Sequence, residues 1–139
     1  MSSSDEMKSV LVIDEELPVG LIANTSAILG ITLGKYAPEM VGESVVDESG
    51  VSHLGIVTTP IPILKGNAAI LQELRARTWE RNFEDVIVVG FAEIAQRCKT
   101  YEEYRKKLAK TSVHSFYGLG FWGEKRKINK LTGSLPLLR

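Results

Sequence analysis

The chain has 139 residues, of which 44% are hydrophobic and 24% are charged, and this composition is typical of one folded domain rather than a disordered chain. Its formal net charge is zero and it has one cysteine, which excludes an overall basic protein and an internal disulfide framework. Its longest apolar stretch is interrupted by Pro60, Pro62 and Lys65 and is far shorter than the about 18 apolar residues of a membrane span. The polar, acidic beginning of the sequence lacks the features of a secretory signal, so we expect a cytosolic protein.

The first third of the chain predicts a strand followed by a helix. The short apolar run 10–13 is typical of a strand that is buried on both faces. Pro18 suits the first turn of a helix, which is predicted to stop at Gly34. A strand, a tight link and a helix in this order are typical of a layered α/β domain, so we expect residues 1–7 to be irregular and residues 8–139 to form one domain. The buried stripe of the helix is predicted to comprise Ile22, Ser26, Leu29 and Leu33.

Residues 41–58 are typical of a β-hairpin, because two β-rich runs flank the turn-forming sequence Asp-Glu-Ser-Gly at 47–50. Pro60 and Pro62 place the next apolar run at a sheet edge or a bend, since proline cannot donate a hydrogen bond to a ladder. Asn67 suits the cap of the following helix. The buried stripe of that helix is predicted to comprise Ile70, Leu71, Leu74 and Thr78.

The second half of the chain predicts two more strands. The apolar run 86–90 is typical of another strand that is buried on both faces. A short helix is expected over residues 92–98. The aromatic run 116–122 contains several glycines, which predicts a last strand that another element approaches closely.

A basic helix is predicted between these two strands. Thr100 and Glu103 have the spacing of a capping box at its start. Tyr101, Tyr104 and Leu108 follow at helical spacing, which favours a buried stripe with a solvated basic back over an aromatic platform for RNA.

Charges are unevenly distributed along the chain. Residues 1–60 carry two basic and nine acidic side chains, a net charge of −7, whereas residues 97–139 carry eleven and three, a net charge of +8. A basic face of this kind is compatible with binding of phosphate groups. It is also compatible with contact between the acidic and basic segments, inside the fold or across a homodimer. The zero net charge favours this second interpretation.

The C-terminal residues 128–138 read Ile-Asn-Lys-Leu-Thr-Gly-Ser-Leu-Pro-Leu-Leu and resemble the closing segment of the peptidyl-tRNA hydrolase II family. That family ends with an apolar residue, a polar pair, Thr-Gly and a Leu-x-Leu-Leu tail, and its first strand and helix are similar in layout. The resemblance implies a single three-layer α/β/α domain with a small mixed sheet. The last ten residues are more similar still to a bacterial family of unknown function, domain of unknown function two thousand, which is said to share this fold and implies no activity.

The chain lacks several of the residues by which the enzymes of the peptidyl-tRNA hydrolase II family are recognised. The family's first helix opens with Gly-Lys, an apolar residue, Ala-Ala-Gln and then a histidine, and here Gly20, Ile22 and Ala23 match. Residues 89–93 do not contain the family's Asp-Ala-Gly-x-Thr segment. Because leucine offers neither a cation nor a proton-transfer group at the lysine position, the sequence favours a protein without this activity. The lysine, the second alanine, the glutamine and the histidine are replaced by Leu21, Asn24, Thr25 and Ile28.

A ligand site is predicted where the enzyme has its own site. The polar residues 24–26 (Asn-Thr-Ser) interrupt an apolar helix near its positive end, although buried side chains bonded to the backbone would give the same pattern. Residues 65–67 (Lys-Gly-Asn) lie at a helix start but lack the spacing of a P-loop. Lys130 adjoins the Thr-Gly pair of the tail. The candidate cleft, for a small or anionic ligand, comprises Gly20, Asn24, Thr25, Thr58, Lys65, Lys130 and Thr132.

No catalytic, metal or cofactor site is predicted. His53, His114 and Cys98 do not have the spacing of metal ligands, and no serine lies in a Gly-x-Ser-x-Gly elbow. Three functions remain open, namely a non-catalytic protein that binds a small or anionic ligand, a homodimeric interaction protein, and a hydrolase with substituted catalytic residues, which is the least favoured. Nucleic acid is a disfavoured partner, and no membrane partner is expected.

Overall fold

The computed structural model describes residues 6–112 and 114–139. The predicted irregular N-terminus, residues 1–7, therefore lies mostly outside the described residues, and the first strand already begins at Met7. Two single-turn helices, Pro38–Met40 and Arg81–Phe83, lie between the main elements. In chain order the main elements are β1 (Met7–Asp14), α1 (Val19–Tyr36), β2 (Val45–Val46), β3 (Ser52–His53), β4 (Ile63–Gly66), α2 (Ala68–Arg77), β5 (Ile87–Ala92), α3 (Glu93–Gln96), α4 (Tyr101–Ala109), β6 (Phe116–Glu124) and α5 (Lys125–Thr132).

Four strands form a mixed sheet in the order β4-β1-β6-β5. β1 pairs in parallel with β4 and antiparallel with β6, and β6 pairs antiparallel with β5. The C-terminal tail runs along the outer edge of β4, where the Lys65 amide donates to the Pro136 carbonyl at 2.9 Å and the Leu138 amide donates to the Ile63 carbonyl at 2.8 Å. One edge of the sheet is thus covered by the tail, and β5 forms the other edge.

Helices cover both faces of the sheet because the residues of β1 alternate between two cores. Leu11 and Ile13 pack with α1 residues such as Leu29 and Leu33 on one face, which we call the α1 face. Val10 and Val12 pack on the opposite face. The second core is completed from α2, α5 and β6 by Leu71, Leu74, Ile128, Leu131, Leu119 and Phe121.

Two glycines of β6 allow α1 to lie close to the sheet. A Cβ atom added to Gly118 would come within 2.7 Å of Ile13 Cδ1 and 2.9 Å of Thr25 Cγ2. A Cβ atom added to Gly120 would come within 3.2 Å of Leu33 Cδ1. A side chain at Gly118 would force a neighbour to shift and one at Gly120 would be tight, so the prediction of close approach to the last strand is confirmed.

The predicted hairpin and the two helix caps are confirmed. β2 and β3 pair antiparallel, and Gly50 in the connecting turn has a φ of 86°, a conformation that favours glycine. Asn67 Oδ1 accepts from the Ile70 amide at 2.9 Å. Thr100 Oγ1 accepts from the Glu103 amide at 3.1 Å.

α1 corrects two predictions. It continues through Gly34 to Tyr36, because Gly34 has no positive φ and therefore cannot form the left-handed cap that would stop a helix. Its fully buried residues include Thr25, while the predicted Ser26 is only half-buried. Ser26 instead donates its hydroxyl to the Ile22 carbonyl one turn earlier, at 2.9 Å.

β5 and α4 are less buried than the sequence predicts. β5 pairs with β6 alone, so its first three residues are only half-buried. No residue of α4 is buried, and Tyr101 of the predicted stripe is 74% exposed. An apolar run does not distinguish a central strand from an edge strand, and α4 lies beside that edge, where less of the sheet is available to cover it.

Candidate functional site

The seven residues predicted to share a cleft are distributed over both faces of the sheet. Gly20, Asn24 and Thr25 lie on α1, whereas Lys130 and Thr132 lie on α5. α1 and α5 belong to the two different cores, so the sheet separates these two groups. The structure brings Gly20 and Asn24 onto one helix end but does not bring either of them next to Thr132.

On the α1 face, the predicted residues differ in how accessible they are. Asn24 is exposed, and its Nδ2 atom donates to Gln96 Oε1 at 3.4 Å, which links α1 to α3. Thr25 is fully buried, and its Oγ1 atom has no hydrogen-bond partner among the described residues. Gly20 is exposed with open space around it. Thr58, at the base of the hairpin, donates its hydroxyl to the Met40 carbonyl at 3.4 Å.

The remaining predicted residues contribute to packing around β4 and α5. Lys65 lies within β4 opposite Ile13, and its amide holds the tail. The backbone carbonyl of Lys130 accepts a hydrogen bond from the Arg77 side chain at 3.3 Å. Thr132 is buried and donates its hydroxyl to the Ile128 carbonyl at 2.9 Å.

A further concave site was not predicted from the sequence. It is a groove of 460 Å³ on the α1 face, between α1, the edge strand β5 and the start of α4, and we call it the edge groove. This volume lies within the range of small-molecule sites. The edge groove is lined by Ile28, Thr32, Val89, Gly90, Phe91, Ala95, Cys98, Lys99, Thr100, Tyr101 and Tyr104.

The edge groove combines an apolar floor with a polar end. Ile28, Val89 and Phe91 supply the floor, and they belong to or pack against the core of the α1 face. Lys99 supplies a positive charge at the end where α4 begins. None of the lining residues is a carboxylate or a histidine, so the groove contains no conventional acid–base pair.

Two tyrosines form the wall that α4 contributes. The rings of Tyr101 and Tyr104 are 5.5 Å apart with a tilt of 54°. Burial raises the pKa of Tyr104 above its usual value, which further favours the protonated hydroxyl, a group that can donate a hydrogen bond. The same tyrosine spacing suggested a buried stripe in the sequence. The edge position of β5, which opens the space in front of these rings, has no sequence signal of its own.

Other polar clusters of the chain do not form a site of this kind. Within the ranges 6–112 and 114–139, no three histidine, cysteine or acidic side chains lie where they could hold a metal ion. None of the helices in this part of the chain is long and apolar enough to cross a membrane. Cys98 donates its thiol to the Ile94 carbonyl at 3.1 Å, a local contact that closes the turn after α3.

Comparison with known proteins identifies the family and gives no activity. No curated protein matches the chain. The fold is shared with the solved structure of Atu0240, a protein of unknown function from Agrobacterium tumefaciens strain C58, with a TM-score of 0.85 and 19% identity over 95% of this chain and 97% of the other. A family model described as a protein of unknown function, DUF2000, matches residues 7–139. The chain therefore belongs to the DUF2000 family, whose function is unknown.

Proposed function

We propose that the protein is a non-catalytic binding protein that holds a small ligand in the edge groove. The observation that carries this proposal is the combination of an apolar floor, two tyrosine rings and one lysine in a single groove of 460 Å³. Ligand sites are typically lined by apolar and aromatic side chains with a few polar groups that fix orientation. The groove follows this pattern, whereas the cleft predicted from the sequence is divided by the sheet.

The chemistry of the groove favours a flat, mainly apolar ligand that carries one anionic group. A planar ligand can stack against the ring of Tyr101 or Tyr104, because aromatic faces prefer offset or edge contacts with other rings. A carboxylate or phosphate at the other end of the ligand would be attracted by Lys99, which is exposed. Such a ligand is a small anionic molecule, in agreement with the expectation from the sequence.

The proposal also treats the protein as a non-catalytic relative of the peptidyl-tRNA hydrolase II fold. The small mixed sheet, the helix after the first strand and the docked tail support that relationship. Leu21, which stands at the position of the enzyme's lysine, is half-buried in the first turns of α1. A leucine there cannot supply the positive charge or the proton transfer on which such hydrolysis depends.

The proposal is tested by titrating the protein with aromatic carboxylates and with the corresponding neutral amides, and by recording the backbone amide signals by NMR. We expect the largest shifts at Thr32, Gly90, Ala95 and Thr100, which line the groove. The carboxylates should bind about two- to fivefold more tightly than the amides, as is typical of one exposed ion pair. Lys99→Ala should remove this preference. Lys110→Ala, at the exposed end of α4, should retain it.

A second pair of variants separates groove binding from binding elsewhere. Ala95→Trp fills the groove, since Ala95 lines it, and it should abolish the shifts. Ala69→Trp adds the same ring to an exposed position of α2 and should leave the titration unchanged. Shifts that persist in Ala95→Trp, or that cluster away from β5, would disprove the proposed site.

A further inference from the structure

The hairpin carries an unusual concentration of exposed apolar side chains. Residues 41–58 contain six of the twelve large hydrophobic side chains that are exposed in the described part of the chain. Leu54 is 89% exposed and Ile56 is 78% exposed. Isolated exposed hydrophobic residues are normal on a protein surface, but six of them within one short segment favour an interaction surface. The six residues are Val41, Val45, Val46, Val51, Leu54 and Ile56.

The chain's own core does not cover this group. Only the base of the hairpin is anchored, since Met40 and Val57 pack with the core of the α1 face. Within the described residues, β2 and β3 pair with each other and with no other strand. A two-stranded hairpin of this kind is at best marginally stable alone in water, so its exposed apolar side chains point to a partner that packs against them.

The turn of the hairpin is nevertheless well ordered by one acidic residue. Asp47 Oδ1 accepts from the amides of Ser49 and Val51 at 2.8 and 3.1 Å, and Asp47 Oδ2 lies 2.7 Å from His53 Nε2. The hydrogen bond with His53 is the largest of the effects that lower the pKa of Asp47. The hairpin therefore presents its apolar side chains on a defined scaffold.

The charge of the hairpin indicates which surface it meets. Residues 41–58 carry the acidic residues Glu43, Asp47 and Glu48 and contain no lysine or arginine. Pairing of two such hairpins would place like charges together, which is unfavourable. The complementary surface is therefore basic, with exposed apolar or aromatic groups among its charges.

The chain itself has such a surface at α4 and the rim of the edge groove. Lys99, Arg105 and Lys106 are exposed there, around the exposed ring of Tyr101. Glu102 partly offsets this charge through its ion pair with Arg105 at 3.3 Å, but the basic side chains outnumber it. We call these three basic residues and Tyr101 the α4 surface.

The hairpin and the α4 surface lie towards opposite sides of the same face. The chain leaves the hairpin towards β4 at one edge of the sheet, whereas the edge groove follows β5 at the other edge. α1 lies between them and exposes Ile31. In an isologous dimer a two-fold axis relates the two copies, so each hairpin would pack over the α4 surface of the other copy.

We propose that residues 41–58 are a dimerisation arm that packs on the α4 surface of a second copy of this chain. The apolar side chains of the arm contact Tyr101 and the groove rim of the second copy, and Glu43 and Glu48 face its Arg105 and Lys106. Because the contact is reciprocal, each copy gives one arm and receives one. The proposal does not depend on a ligand in the edge groove, and a monomeric variant can still be titrated with the aromatic carboxylates.

The test is a charge swap followed by sedimentation velocity. Glu43→Lys with Glu48→Lys makes a basic arm, and Arg105→Glu with Lys106→Glu makes an acidic α4 surface; all four positions are exposed. Either double variant alone should weaken the dimer at least about tenfold, because like charges then meet at both contacts. An equimolar mixture of the two variants should form a heterodimer, since both of its contacts are again complementary. The chain with all four substitutions should recover the homodimer.

A separate variant tests the apolar part of the contact. Leu54→Ser with Ile56→Ser should also yield a monomer, and Leu137→Ser, at an exposed position outside the arm, should leave the dimer unchanged. Circular dichroism melting curves confirm that each variant is folded. The proposal is overturned if the wild-type protein is monomeric at about 100 μM, far above the concentration that a micromolar dimer needs. It is also overturned if the mixture of charge variants stays monomeric.

Discussion

Two buried threonines, Thr25 on α1 and Thr132 on α5, show how differently one side chain can be accommodated. Both are almost completely inaccessible to solvent. Thr132 donates its hydroxyl to the Ile128 carbonyl at 2.9 Å, whereas Thr25 Oγ1 has no partner among the described residues. The methyl group of Thr25 faces Gly118 of β6, so this threonine is placed for packing while its hydroxyl remains unsatisfied.

Replacement of each threonine by valine, which has nearly the same shape, should have opposite effects on stability. Thr25→Val removes a buried unsatisfied hydroxyl and should raise the free energy of unfolding by about 1 kcal/mol. Thr132→Val removes a hydrogen bond and should lower it by about 0.5–1.5 kcal/mol. Urea denaturation of both variants and the wild type measures the difference. A loss of stability in Thr25→Val would mean that its hydroxyl has a favourable interaction.

At the level of secondary structure elements, the sequence predicted local features better than it predicted where an element lies in the fold. The hairpin turn, the Asn67 and Thr100 caps, and the close approach at Gly118 follow from the residues themselves, because each needs a specific local chemistry. The edge position of β5 does not follow from the sequence, because apolar runs occur in central strands and in edge strands alike. The same ambiguity concealed the candidate site, because Tyr101 and Tyr104 lie at core spacing but face a groove that only this edge creates.

The C-terminal tail acts as an additional edge element that covers β4. Leu135 packs against one core and Leu138 against the other, so the tail is docked on the sheet. Deletion of residues 134–139 should lower the free energy of unfolding by about 2–4 kcal/mol, because these side chains are half-buried and each fully buried leucine contributes about 1.5–3 kcal/mol. Deletion should also promote association, since it leaves the edge of β4 unpaired.

Urea denaturation and light scattering measure these two effects of the tail deletion. Leu137→Ser is the matched control, because Leu137 is exposed and its substitution should change stability by no more than about 0.5 kcal/mol. A shortened protein with unchanged stability and no association would show that the tail is dispensable.

Across the whole molecule, the basic third of the sequence does not form one basic surface. α4 lies on the α1 face beside β5, whereas α5 packs on the opposite face. Acidic neighbours also engage part of this charge, as when Lys127 pairs with Asp85 at 2.7 Å and Lys125 with Glu6 at 3.1 Å. With partners in the described part of the chain, five of the eleven basic side chains of residues 97–139 form ion pairs of this kind, namely Arg97, Arg105, Lys107, Lys125 and Lys127.

This distribution predicts that the protein does not bind RNA specifically. A phosphate backbone that follows α4 cannot also contact α5, so few phosphates are neutralised at once. We therefore expect single-stranded RNA to bind with a dissociation constant above about 1 μM at physiological salt.

Fluorescence anisotropy with a labelled oligonucleotide, at low and high salt, measures the affinity for RNA and its salt dependence. Lys125→Glu with Arg126→Glu should change it little, because these two side chains would contribute at most two contacts, each worth a slope of about −0.7 in log affinity against log salt. Submicromolar affinity that this variant abolishes would show instead that α5 is a nucleic-acid-binding surface.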